Sequence, residues 1–406
     1  MLFRSYGLIL LIGCNTIPFF FSKDRTKIWN PIFFISLIYF YYIIVPVFWG
    51  DTDRYGFNNP ENDFFCLTGG FISYLSLMLV FKLTHKTNLK YFNNTFLALK
   101  IDKCAFFLLF IALAGYIPFN GIQFSIFSSG AAEWEKANDF VFYFTSLISL
   151  GCASCCLIFS SKKSILIKIA VIWFILTLYI ICGFRFRIVM LGISLFTVMH
   201  LYPKVRKINY KIIIPITICL YILFGIMDSA RNYGSGLDRA AFENFDISKQ
   251  KGPAENSAVF SFTGYAMNQT QDHLILFEPI WSTITLPIPR SIFKDKPNAE
   301  YLHRLGSKEL GGAAMLYYGE GFMSFGWLGV CLYGCILGIF AKKIWGNYLN
   351  NPNNYGAILL LSLFNAMTYF IISRGYMPQM VMNFIYYVIL PFTIINIIRK
   401  KYNILH

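Results

Sequence analysis

Apolar residues fall along this chain in long blocks of about 17 to 25, the length that crosses roughly 30 Å of hydrocarbon. Eleven such blocks can be drawn, over residues 5–22, 31–49, 64–82, 104–120, 138–159, 165–182, 187–202, 211–228, 314–341, 355–372 and 376–398. The pattern predicts an all-α polytopic membrane protein with about 11 transmembrane helices. Leu8 to Phe21 looks like the apolar part of a signal peptide. Lys23-Asp24-Arg25 follows it where a small-residue cleavage site would stand, so a retained first span is expected.

The polar connections then orient the chain. Twenty of its 35 Lys and Arg lie in alternate short connections (23–27, 82–103, 162–168, 204–211, 342–343 and 399–401). The opposite short segments hold six: Arg4, Arg54, Lys136, Arg185, Arg187 and Arg374. Because basic residues accumulate on the cytoplasmic side, the C-terminus is expected in the cytoplasm and the long segment 229–313 outside. The chain thus divides into helices 1–8 (1–228), a long periplasmic loop (229–313), and helices 9–11 with a cytoplasmic tail (314–406).

Composition agrees. Of 406 residues, 56% are hydrophobic and 14% charged, with mean hydropathy +0.55, whereas a soluble domain carries about 25% charged residues. The net charge of +15 is accounted for by topology, and no nucleic-acid partner is needed to explain it. Nine of the ten cysteines lie in apolar runs, where thiols behave as small hydrophobes, so neither a disulfide framework nor a zinc site is expected. No glycine-rich phosphate loop is present, which argues against ATP-driven transport.

Three features could carry chemistry. Within 229–313, the stretch Pro279 to Pro289 is too short and proline-rich to span, so it is expected at the outer interface or re-entering against protein. The arginines that break the charge rule come next. Arg185 and Arg187 flank one tight outer turn and Arg374 another, with Arg231, Arg239, Arg290 and Arg304 on the same side. Each either anchors a helix end at the headgroups or takes part in binding an anionic ligand, for which guanidinium offers a two-pronged grip on phosphate. Last come the acids and bases. Glu320, at the start of an apolar helix, is either a general base or half of an ion pair fixing helix packing. His273 and His303 are the imidazoles of the long loop, and Asp51 and Asp53 a weaker metal-type spacing.

Local sequence points further. The run PIPRSIFKDKP (287–297), the run GEGFMSFGWLGVCLYGCILG (319–338) and the arginines at tight outer turns resemble bacterial oligosaccharide repeat-unit polymerases of the Wzy type, the O-antigen polymerases. The topological likeness covers the whole chain, the motifs some fifty residues. The resemblance implies a membrane-embedded, GT-C-like glycosyltransferase of the bacterial inner membrane, working at the periplasmic face without metal or cofactor. Undecaprenyl-diphosphate-linked oligosaccharide would be both donor and acceptor, with membrane lipid around the enzyme and a chain-length regulator as a possible partner. In that scheme Arg185, Arg187, Arg290, Arg374 and Arg231 would hold diphosphate, Glu320 would be the base and His303 its reserve. The rival classes are an O-antigen ligase, for which His273 or His303 would serve the acceptor, and a lipid-linked oligosaccharide flippase. Transporters of the latter kind carry internal repeats and broken helices, and no matching halves are visible.

Overall fold

A computed structural model describes residues 2–20, 22, 25–49, 59–85, 89–94, 101–120, 127–128, 146–182, 185–202, 231–232, 236–244, 254–288, 292–293 and 314–404. These are mostly helical. In chain order the helices are α1 (Leu2–Phe20), α2 (Pro31–Tyr39), α3 (Val45–Trp49), α4 (Pro60–Leu83), α5 (Lys90–Asn94), α6 (Ile101–Asn120), α7 (Leu150–Ser160), α8 (Ile165–Ile181) and α9 (Arg185–Leu201). There follow α10 (Arg239–Glu243), α11 (Ala254–Gln269), α12 (Glu278–Thr285), α13 (Tyr317–Asn350), α14 (Tyr355–Ser373), α15 (Met377–Phe384) and α16 (Leu390–Ile404). One-turn π-helical stretches, Phe40–Ile44 and Ile385–Ile389, join α2 to α3 and α15 to α16.

Six helical stretches among the described residues are long and apolar enough to cross a membrane: Pro31–Phe48, Pro60–Leu83, Ile101–Pro118, Tyr317–Asn350, Tyr355–Ser373 and Met377–Arg399. The protein is therefore of the polytopic α-helical membrane class. The expected spans 5–22, 138–159 and 165–182 coincide with shorter apolar helices, Tyr6–Pro18, Leu147–Ser160 and Ile165–Ile181. Residues 187–202 lie in α9, and the expected span 211–228 falls outside the described residues. Two of the long helices begin at a shared device. Asn30 and Asn59 each accept a backbone N–H from two residues on, Ile32 and Glu61, and each is followed by proline at the first helical position. Glu61 and Asp63 add negative charge to the first turn of α4, where the helix dipole favours it.

The chain forms two compact units. The first comprises residues 1–89, 251–350 and 367–382, the second 90–250, 351–366 and 383–406. In the first, α4 packs on α13 through glycine. A methyl group added at Gly334 or Gly338 would stand 2.4 or 2.6 Å from the Ser73 or Leu77 carbonyl oxygen, so these backbones touch. Helix α11, within the long segment 229–313, is largely buried in this unit. Val259, Phe260, Phe262, Thr263 and Met267 are all inside, and Gly264 lies against the Asn62 backbone.

In the second unit α6 packs on α7, where the buried Ser154 hydroxyl donates to the Ala105 carbonyl at 2.7 Å. Cys152, Cys155 and Cys156 fill the same interior. This unit also holds the one departure from an all-helical plan seen among the described residues. A three-stranded sheet pairs β1 (Phe127–Ser128) parallel to β3 (Gly236–Asp238), with β2 (Arg231–Asn232) antiparallel on the other edge of β3. Strands of two or three residues leave too little hydrophobic pattern to be read from sequence.

Candidate functional site: a folded-back half-helix around Glu320

Helix α13 is not one rod. Phe325 (φ −138°, ψ 23°) and Gly326 (φ 59°, ψ −146°) leave helical geometry and split it into halves at 317–324 and 327–350. A positive φ with so negative a ψ suits glycine, which has no Cβ to clash. The halves fold back on each other. The Tyr317 and Tyr333 rings stand 6.4 Å apart, and the Tyr333 hydroxyl lies 3.3 Å from Glu320 Oε2, although 13 residues of straight helix would separate these by about 20 Å. At the crossing the backbones meet at two glycines: a Cβ on Gly329 would lie 1.8 Å from the Gly321 oxygen. The expected span 314–341 is thus a short half-helix folded back on a longer continuous helix. The 24 residues of 327–350, about 36 Å long, suffice to cross alone.

Every side chain from Tyr317 to Ser324 is buried. Around this half-helix, Tyr317, Tyr39 and Ser73 share a hydroxyl triangle with edges of 2.7 to 3.0 Å. Tyr318 donates to the Cys66 carbonyl at 3.0 Å, Thr263 Oγ1 accepts from Leu316 N–H at 2.9 Å, and Ile275 N–H donates to the Met323 carbonyl at 2.9 Å. On the remaining side Gly375 N–H donates to the Met315 carbonyl at 2.6 Å. Elements of the first unit therefore converge on the short half-helix and the two residues before it, Met315 and Leu316.

Glu320 sits at the centre, with no exposed surface. Both carboxylate oxygens accept the Met377 backbone N–H at 2.9 Å, and Tyr333 donates to Oε2. Met377 opens α15, so the carboxylate faces a helix N-terminus, where negative charge is favoured. A backbone amide and a phenol are thus among its partners. Arg374, one of the arginines at the outer turns, meets Glu255: its Nη2 lies 2.7 Å from Glu255 Oε1, with the two side chains 25% and 26% exposed. The Tyr42 phenol lies within electrostatic reach of both and within 3.1 Å of the Tyr369 hydroxyl.

Glu255 and Tyr333 were not singled out by sequence. Glu255 opens a run, AENSAVFSFTGYAMNQ, whose small polar residues disguise a buried helix; an acid there had the same claim to notice as Glu320. Tyr333 is one of many tyrosines in an aromatic-rich chain, and only the reversal brings it to residue 320.

Of the other candidates, Arg185 and Arg187 belong to the second unit, at the start of α9. Arg185 is half-buried, whereas Arg187 is only 4% exposed. The Arg187 guanidinium lies 5.7 Å from the Phe186 ring and within electrostatic reach of Cys182, Tyr179 and Tyr387. An arginine expected at an outer turn is therefore inside its unit, with an aromatic ring beside its guanidinium. Arg290, His303, Arg304, Asp51 and Asp53 lie outside the described residues, and Arg231 is described only as backbone in β2. His273 is exposed in the turn after α11. The segment expected at the interface, 279–289, begins within α12, whose Ile280, Trp281 and Ile284 are exposed apolar side chains.

The chain matches no protein-family model, no curated protein and no solved structure.

Proposed function

We propose that this chain polymerises undecaprenyl-diphosphate-linked oligosaccharide repeat units into O-antigen or a related surface polysaccharide, as a glycosyltransferase at the periplasmic face of the bacterial inner membrane. One observation carries the proposal. The run 319–338, which bears part of the resemblance to Wzy-type polymerases, is also the run the fold breaks at Phe325–Gly326 and turns back on itself, with the Glu320 carboxylate buried near its start. Irregular backbone at membrane depth is tolerated where protein encloses it or a cavity needs it, and ionisable side chains there are functional far more often than ornamental.

In the reaction an acceptor hydroxyl attacks the anomeric carbon of the donor. The bond from that carbon to the diphosphate breaks, and the hydroxyl proton passes to a base. Glu320 is the base, and its sealed position requires Tyr333 to leave Oε2 before a hydroxyl can approach. The leaving diphosphate gathers negative charge, which a preorganised guanidinium stabilises. Arg374 takes that role by exchanging Glu255 for phosphate oxygens, a change its quarter-exposed side chain permits. Arg185, Arg187, Arg290 and Arg231 stay diphosphate candidates from the sequence, and His303 the reserve base. A chain-length regulator is the expected partner.

One finding favours a second possibility. Helices interrupted in the membrane are a mark of transporters, and α13 is such a helix, so a lipid-linked oligosaccharide flippase is the alternative. Deleting the gene and resolving the extracted lipopolysaccharide on a gel separates the two. A ladder collapsing to core plus a single repeat supports polymerisation, because export and ligation still work. Loss of every repeat supports a flippase or a ligase, and an unchanged ladder removes the glycan assignment.

A further inference from the structure

Two acids of the first unit, Glu255 and Glu320, hold opposite ends of one short turn. Residues 374–376 join α14 to α15. At the start of the turn, Arg374 Nη2 meets Glu255 Oε1, from the first turn of α11, at 2.7 Å. Just past its end, both oxygens of Glu320 accept the Met377 N–H at 2.9 Å. Met377 Sδ also lies 3.7 Å from the Tyr333 hydroxyl, the group that donates to Glu320 Oε2. Met377 therefore touches both the carboxylate and the phenol beside it.

Between these ends the turn has little slack. The Tyr376 N–H donates back to the Arg374 carbonyl at 2.7 Å, and the Gly375 N–H donates to the Met315 carbonyl. A methyl group added at Gly375 would stand 2.5 Å from Tyr317 Cα and 2.6 Å from the Leu316 carbonyl oxygen. The main chain of the turn thus lies directly on the start of the half-helix that carries Glu320. A segment tied this closely shifts as one piece, and only Gly375 and Tyr376 separate Arg374 from Met377. Contacts of this kind, continuous from one group to the next, carry coupling between sites.

We propose that this turn is a latch and Glu255 its positioning residue: Glu255 holds Arg374 so that Met377 covers Glu320, until a phosphate group draws the arginine away. The proposal rests on the polymerase reading above and adds an order of events to it, with diphosphate capture preceding exposure of the base. Glu255 and the ligand compete because both are anions offered to one guanidinium. With about a quarter of each side chain exposed, the ligand reaches the pair without unfolding of the unit. A diphosphate carries more charge than one carboxylate and bonds Arg374 only after Glu255 has let go. It therefore favours the open arrangement, which is the differential affinity that any ligand-driven shift requires. The latch also protects the reaction. A base exposed before the acceptor sugar arrived would serve water as readily, and binding energy used to assemble the site on the correct substrate prevents that.

The test reads the accessibility of Glu320 in the purified full-length chain in detergent. Dicyclohexylcarbodiimide, an apolar reagent that modifies carboxyl groups, is added with and without pyrophosphate, and mass spectrometry measures label on Glu320 relative to the exposed Asp272. Pyrophosphate should raise Glu320 labelling by about five- to a hundredfold, the usual range of coupling between two sites. Glu255→Gln keeps the shape of the side chain and removes its charge, so it should show raised labelling with no pyrophosphate present. If Glu255 served structure alone, that variant would change stability and leave Glu320 labelled as in the wild type. Arg374→Gln should abolish the response to pyrophosphate. Wild-type labelling that pyrophosphate leaves unchanged would overturn the proposal, and that measurement needs no variant. Wild-type labelling in Glu255→Gln would overturn it too, as would a pyrophosphate response that survives Arg374→Gln. Labelling needs no turnover, so the latch can fail while the gel ladder supports a polymerase, or hold while the ladder excludes one.

Discussion

Replacing Gly329 by alanine tests the reversal of α13 more directly than any other single change. The added carbon would stand 1.8 Å from the Gly321 oxygen and 2.7 Å from its carbonyl carbon. Ordinary contact begins near 3.4 Å, so the two halves must part by about 1.5 Å, and the obstacle is main chain that no rotamer change can move. Overpacking a tight interior costs about 1–3 kcal/mol. Parting the halves also strains the Tyr333–Glu320 hydrogen bond one turn further on, worth roughly 1 kcal/mol. A destabilisation of about 3 kcal/mol follows, near a hundredfold in the ratio of folded to unfolded protein. Unfolding in mixed detergent–SDS micelles measures it. Gly192→Ala is the control: a methyl group there meets nothing within 4 Å and alanine is favoured over glycine inside a helix, so it should not lower stability. If Gly329→Ala unfolds at the same SDS fraction as the wild type, the two halves do not cross as described.

Three other changes separate structure from chemistry. Glu320→Gln keeps an oxygen for the Met377 N–H, so it should fold within about 1 kcal/mol of wild type yet abolish the polysaccharide ladder; Glu320→Ala strands a buried amide and should cost about 1–3 kcal/mol in the same unfolding assay. Glu255→Ala leaves the Arg374 guanidinium without that carboxylate, for about 1–3 kcal/mol, less than for a fully buried pair because both side chains are a quarter exposed. The reversed pair Glu255→Arg with Arg374→Glu should regain part of that loss, and a double-mutant cycle with no coupling would refute the contact. Gly326→Ala has open space for its methyl but an unfavourable backbone, so about 1–3 kcal/mol is expected from conformation alone, and no change would refute the positive φ.

Hydropathy made the helices legible because a lipid-crossing segment must be apolar along its whole length, and α4, α6 and α14 show it plainly. The same measure was blind to the turn at Phe325–Gly326. GEGFMSFGWLG reads as uninterrupted apolar sequence whether it runs straight or doubles back, and its only local hint is the glycine itself. Helix α11 gave no hydropathy signal, because Asn256, Ser257, Ser261 and Thr263 are polar, yet all four are buried. Among site residues, Glu320 was singled out as an acid in an apolar helix start, and it is buried there. Sequence could not say that its partners include Met377 and Tyr333, or that Arg374 answers to Glu255, because each contact joins stretches 13 to 119 residues apart.

The division of the chain has a consequence for its biosynthesis. Each compact unit is assembled from three separate stretches, and the last stretch of the first unit, 367–382, follows more than nine-tenths of the sequence. The carboxylate of Glu320 reaches the membrane before the Met377 amide that it accepts has been translated. During that interval the insertion machinery handles a half-helix with an unmatched acid, and threading through the translocon cannot by itself complete the fold. Final packing waits until nearly the whole polypeptide has left the ribosome.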